Sequence, residues 1–272
     1  MSGKAKEKNC KWLRGRGREK RYIKYDAKDK KRYHMLDGIR GLTFVSMFVY
    51  HGMWDLVWLF QKDIGWYVST AGYVWQQSIC IAFILLSGFS WSFGRRKYCR
   101  GLEILAAGIM ITLVTVFFMP GDRVVFGVLT FLGAAVLCMI PLEFFLRKCK
   151  PEPGLAVSLL LFFLTRNVNR GCLGYEGMVL GQLPSGLYRN LITTFLGFPE
   201  PGFFSTDYFS LLPWIFLYVA GYYLCRTAEK RSWLSYLEKS ICPLLEKAGR
   251  HTLLLYMIHQ PLLYGALSLI FA

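Results

Sequence analysis

An arginine, a histidine and two carboxylates fall on one face of the first apolar stretch of this chain. In Leu36-Asp-Gly-Ile-Arg-Gly-Leu-Thr-Phe-Val-Ser-Met-Phe-Val-Tyr-His51, Arg40 and His51 are eleven positions apart. Eleven helical steps of about 100° return to within about 20° of the start, and a rise of about 1.5 Å each separates the pair by about 16 Å. That spacing puts Arg40 at the edge of a bilayer and His51 near half depth. Asp37 lies three residues before Arg40 and Asp55 four after His51. Asp55 is thus in reach for a carboxylate–imidazole hydrogen bond. Such a bond fixes the tautomer of a histidine and stabilises its protonated form, as general-base chemistry needs. An ionisable group at half depth is costly in hydrocarbon and is a functional candidate by default. The plainer reading of His51 and Asp55 is a structural hydrogen-bond pair between helices. For Arg40 alone a role as membrane-edge anchor suffices.

A second histidine, His259, lies in Gly249-Arg-His-Thr-Leu-Leu-Leu-Tyr-Met-Ile-His-Gln-Pro261, about eight residues into the last apolar run. Pro261 removes the helical donor for the Met257 carbonyl and predicts a kink. That carbonyl, His259 and Gln260 would make a polar spot inside the membrane, either as a site or as packed structure. The second run carries Gln76 and Gln77 toward its outer end and Ser87-Gly88 toward its inner end; Ser87-Gly88 reads equally as close helix packing. Asp207, in Thr206-Asp-Tyr-Phe-Ser-Leu-Leu-Pro-Trp214, marks the start of another run. It could cap that helix or hold a substrate. His34 and His251 read as surface residues. No Gly-rich phosphate loop, metal-ligand spacing or redox motif appears, so no metal is expected.

The elements that must position these residues are membrane helices. The chain has 272 residues, 54% hydrophobic and 17% aromatic, and its apolar runs approach the ~20 residues a helical span needs. We read seven runs, at 39–60, 72–93, 102–119, 124–146, 153–166, 208–226 and 251–271. The expected fold is an all-α bundle of about seven transmembrane helices. Basic residues set its orientation. Arg95, Arg96, Lys97 and Arg100, then Arg147, Lys148 and Lys150, then the stretch 226–250, alternate with loops whose only basic residues are Lys62, Arg123, Arg166, Arg170 and Arg189. The N-terminus is expected in the cytoplasm and the C-terminus outside. The fifth run is short for a crossing, but the basic loops on either side of runs five and six require an even number of crossings between them.

Residues 1–34 form a basic tail, with fourteen Lys or Arg against four acids, a net of +10 out of +16 for the chain. Its Arg14-Gly-Arg-Gly-Arg18 on a free protein would suggest nucleic acid. Tethered to a membrane helix, the tail reads instead as attracted to anionic lipid headgroups. It lacks the features of a cleavable leader, so the first span is expected to stay as an anchor. The membrane domain is 35–271. It includes an external Gly- and Pro-rich loop, 167–207, of the length that binding loops have. A cytoplasmic amphipathic segment, 229–249, is expected on the membrane surface. Eight cysteines lack metal spacing and mostly face inward, which argues against a disulfide framework.

Five pieces in order carry a resemblance: Leu36-Asp-Gly-Ile-Arg-Gly with His51, Phe83-Ile-Leu-Leu-Ser-Gly88, Phe126-Gly-Val-Leu-Thr-Phe-Leu-Gly133, Asp207 through Trp214, and Gly249 through Pro261. Together they are similar to the bacterial branch of the heparan-alpha-glucosaminide N-acetyltransferase catalytic-domain family, within the transmembrane acyltransferases, over roughly residues 35–271. Thr130 departs from it, where members often carry His. The resemblance implies a multi-pass protein of the bacterial cytoplasmic membrane. It implies acetyl-CoA, or another acyl-CoA, as a co-substrate from the cytoplasm rather than a resident cofactor, and a sugar or glycan acceptor outside.

It carries over His51 and His259 as the catalytic histidines and Arg40 as the motif arginine, and Asp55 joins the catalytic candidates by its spacing from His51. Donor phosphates would lie near Arg40, Arg95, Arg96 and Arg250, and the acceptor near Asp207, Gln76 and Gln77. A transporter or channel for a small anion, lipid or glycan, using the buried histidines for binding or proton relay, is the alternative. The sequence leaves the acceptor, O- versus N-transfer, the acyl chain and monomer versus homodimer open.

Overall fold

The structure, a computed structural model, describes residues 32–271; the expected basic tail lies almost wholly outside the described residues. Its helices are α1 (His34–Trp54), α2 (Thr70–Ser90), α3 (Lys97–Phe118), α4 (Val128–Leu146), α5 (Pro151–Leu164), α6 (Leu191–Leu196), α7 (Leu211–Lys230), α8 (Pro243–Arg250) and α9 (Thr252–Phe271). Between α5 and α6 lies one antiparallel hairpin, β1 (Cys172–Tyr175) and β2 (Met178–Gln182), with a bulge at Leu173/Gly174. A long helix therefore occupies each of the seven apolar runs, and the expected all-α bundle gains a small sheet in its 167–207 loop.

Among the described residues five helices are long and apolar enough to cross a membrane: α1 with its π-helical extension, α2 with its 3-10 extension, α3, α4 and α9. Their apolar side chains point outward. Ile109, Met110, Leu113, Val114, Phe117 and Phe118 of α3 are exposed, as are Leu254, Leu262, Leu269 and Ile270 of α9. A water-soluble protein would bury these; a bilayer solvates them. Helix α5, with 14 residues, reaches only about 21 Å, short of a ~30 Å hydrocarbon layer.

Helix α7 is the hub. Thirteen of its twenty residues are buried, against two of twenty in α9. A helix walled in by protein needs no lipid-compatible surface, so α7 can carry Tyr218, Tyr222 and Tyr223 in its buried face. The main core joins these tyrosines and Trp214 to Ile84 of α2, Phe131 and Met139 of α4, and Phe162 of α5.

Two crossings depend on glycine. A Cβ on Gly88 would lie 2.0 Å from the Tyr218 carbonyl oxygen, and one on Gly221 would lie 2.3 Å from that of Leu85. Ser87-Gly88 thus serves backbone-to-backbone packing of α2 on α7. In the same way Gly41 of α1 meets the Leu245 carbonyl and Gly249 of α8 meets that of Asp37.

The basic loops gather at one end. Lys97 bonds Glu143 at 3.0 Å, Arg226 donates to the Leu146 carbonyl at 3.2 Å, and Lys230 bonds Glu152 at 2.7 Å. At the opposite end Tyr73 donates to Glu176 at 2.6 Å, and Arg123 donates to the Phe204 carbonyl at 3.2 Å. Helices α1 and α9 run in the same direction, because Asp37 meets Arg250, His51 meets His259, and Lys62 meets Phe271.

The 229–249 segment corrects its expectation. It is not one surface helix but a 3-10 turn (Trp233–Glu238) followed by α8, both packed on α1. Glu246 is almost fully buried there. It accepts from Ser240 at 2.5 Å, pairs with the His34 ring at 2.7 Å, and lies 3.6 Å from Arg250.

Candidate functional site: two histidines on the seam of α1 and α9

Helix α1 brings His51 to α9, where its ring meets that of His259 edge-to-face with centroids 4.9 Å apart. His259 is buried. Its Nδ1 lies 2.5 Å from the Tyr256 carbonyl oxygen. A carbonyl only accepts, so Nδ1 carries the proton and donates, and Nε2 keeps the lone pair. That Nε2 is buried and has no hydrogen-bond partner among the described residues. Pro261 sits inside α9, which runs unbroken through it from Thr252 to Phe271.

Asp55 does not do what its spacing suggested. The regular helix ends at Trp54, and Asp55–Leu59 form a π-helical turn. The wider turn re-aims the side chain. Asp55 is fully buried, and its Oδ1 accepts from Gln260 Nε2 at 2.6 Å. No bond joins it to His51 among the described residues. The carboxylate-oriented His51 of the sequence reading is replaced by a carbonyl-oriented His259. Asp55 Oδ2 and Gln260 Oε1 are buried and without partners among the described residues.

About 16 Å down α1 from His51 by helical rise, Arg40 sits at the basic end. It donates to Asp37 at 2.9 Å and makes a short bond to the Ser90 hydroxyl of α2. Arg250 approaches the other Asp37 oxygen at 3.7 Å, and Arg100 is close enough to act on Arg40 electrostatically. Of the expected cations, Arg40 and Arg250 converge on Asp37. Arg95 and Arg96 are exposed ahead of α3, and their side chains form no ion pair or hydrogen bond among the described residues. Arg100 and Ser90 were missed. In sequence Arg100 reads as loop charge, and Ser90 carries no signal, because its part depends on where α2 ends.

Toward the opposite end, Arg166 donates to Gln77 Oε1 at 2.8 Å and stacks 4.8 Å from the Trp214 ring centre. Gln76 is 3.5 Å from Gln77. In sequence Arg166 closes the fifth run, and nothing local points to its bond with the second. Asp207 also departs from expectation: it caps α4 rather than α7, its Oδ2 accepting from the Val128 N–H at 3.0 Å. Gly127, at the N-cap of α4, has no side chain to do this, and a Cβ there would lie 2.9 Å from the same oxygen. Thr130, one turn into α4, is buried with an unpartnered hydroxyl among the described residues. The seven described cysteines are free, and no three His, Cys, Asp or Glu gather into a metal set among the described residues.

The arrangement has a cationic mouth, an edge-to-face pair of imidazoles between α1 and α9, and polar groups beyond them. Imidazoles so placed can take a proton from an attacking hydroxyl or amine, or carry a group briefly. No curated protein and no solved structure matches the chain. The family model for the catalytic domain of heparan-alpha-glucosaminide N-acetyltransferase matches residues 32–261. The match runs from the foot of α1 to Pro261 and includes both histidines, Arg40, Asp55 and Gln260. The chain therefore belongs to the heparan-alpha-glucosaminide N-acetyltransferase catalytic-domain family, which makes it a membrane acetyltransferase.

Proposed function

We propose that the protein transfers an acetyl or related acyl group from cytoplasmic acyl-CoA, across the bacterial cytoplasmic membrane, to a sugar or glycan on the far side. The observation that carries this reading is the His51–His259 pair, about 16 Å along α1 from the arginines at the basic end. In this reading all seven long helices cross, with the basic end in the cytoplasm. Helix α5 is completed by the residues up to Arg166. Arg40, Arg100 and Arg250 attract the donor's phosphates, and guanidinium forks suit that task. The thioester reaches the histidines, so only the small acyl unit passes the bilayer.

His259 has its proton on Nδ1 and its lone pair on Nε2, which fits it to accept the proton of the attacking acceptor. The acceptor oxygen or nitrogen bonds to the acyl carbon, the C–S bond breaks, and CoA leaves as a thiolate that is then protonated. His51, against the face of His259, is placed to steady that charge or to carry the acyl group itself. Purified protein in lipid nanodiscs, given radiolabelled acetyl-CoA and simple glycosides, should release CoA together with labelled sugar. Donor binding with neither transfer nor hydrolysis would overturn the reading.

A further inference from the structure

Three buried acceptor atoms on the α1–α9 seam have no donor among the described residues: Asp55 Oδ2, Gln260 Oε1 and His259 Nε2. Each is an acceptor by the logic of its other bonds. Gln260 gives its amide N–H to Asp55, so its oxygen is left over. His259 gives Nδ1–H to Tyr256, so Nε2 is left over. Asp55 has one oxygen engaged and one free. A buried polar group without a partner is left with its desolvation uncompensated. Folded proteins rarely leave three in one place unless something arrives to satisfy them. The other buried unpartnered side chains, Trp91, Thr130 and Thr227, lie on other helices and carry hydroxyl or indole groups that can donate. The seam is distinct in being all acceptor.

A ligand for such a place must bring donors. In acyl transfer the reacting hydroxyl or amine supplies one, to His259 Nε2. Two acceptors remain. We propose that Asp55 and Gln260 are positioning residues for the acceptor, each receiving a hydroxyl or amino donor from a group next to the one acylated. This rests on the acyl-transfer reading above. The π-helical turn acquires a purpose: it aims Asp55 at Gln260 and away from His51, building a binding pair beside the imidazoles instead of a charge relay.

The test is a cycle between ligand groups and side chains. Acyl transfer by the full-length protein in nanodiscs is measured with methyl glucoside, methyl glucosaminide and their single-deoxy forms. Removing at least one hydroxyl next to the acylated position should lower kcat/KM about tenfold or more in the wild type, since a site built to bond a hydroxyl rejects its absence strongly. In Asp55→Asn the remaining carbonyl still accepts from Gln260, but the free oxygen becomes a donating NH2. The deoxy penalty should collapse to within about threefold there, with KM for the sugar raised more than kcat is lowered. Gln260→Leu is the second variant, should Asp55→Asn not fold. A penalty that persists undiminished in a folded variant overturns the proposal and leaves acyl transfer standing. No transfer to any of these glycosides by wild-type protein that binds acetyl-CoA overturns the sugar-acceptor reading and this proposal with it.

Discussion

His259 and His51 differ in what holds them. His259 is fixed by the Tyr256 carbonyl and is buried, whereas His51 makes ring contacts and no side-chain hydrogen bond among the described residues. Replacing His259 by Gln keeps polarity and removes the base. Turnover of purified His259→Gln protein should fall by about 10²–10⁴, with acetyl-CoA affinity kept; near wild-type turnover would remove His259 from the mechanism. His51→Gln should also lose transfer. At the other end of α1, Arg40→Ala should weaken acetyl-CoA binding in a folded protein, and Arg40→Lys should restore it only in part because lysine lacks the fork. Equal donor affinity in Arg40→Ala would return Arg40 to the role of an anchor between Asp37 and Ser90. The types of these residues were legible in the sequence. Their pairings were not, because Asp55 was placed on a regular helix and the π-turn moved it.

Helices meet here through small residues and half-buried ion pairs. Gly221→Ala would drive a methyl into the Leu85 carbonyl at 2.3 Å, and a backbone atom cannot swing aside. A loss of about 1–3 kcal/mol or more is expected, read as a lowered melting temperature. Gly177→Ala, with open space around its Cβ, is the control. The docking of α8 on α1 should depend on pH through Glu246. The Ser240 hydroxyl, then His34, hold its carboxyl below the usual glutamate range. A depressed folded pKa gives stability that is present at neutral pH and lost as pH falls through it. Amide protection factors in 243–250, taken relative to the intrinsic exchange rate at each pH, should therefore fall on acidification in the wild type. Glu246→Gln should show weaker protection at neutral pH and little change below. An unchanged acid response in that variant would assign the effect to other groups.

For the molecule as a whole the proposed orientation is the point most open to direct test. Cys99 and Cys149 are exposed at the basic end, and Gly177 lies in the hairpin turn beyond the other. In sealed vesicles a membrane-impermeant thiol reagent should reach the two native cysteines only from the cytoplasmic side and Gly177→Cys only from the opposite side. Labelling of all three from one side would refute the seven-crossing arrangement. The sequence by itself determined what depends on local composition. Apolar runs place the long helices, because a membrane span is specified by the length and apolarity of a single segment. Segregated arginines and lysines set the expected ends, and the order of short motifs pointed to the family. Only the tertiary structure decided which helix is central and which polar groups meet. Helix α7 reads as a weak span because it is shielded by its neighbours. Asp207 caps α4 from 79 residues away, and Gln260 claims Asp55 across 205. Such contacts depend on how helices rotate and end against one another, and no periodicity within one segment records the position of another.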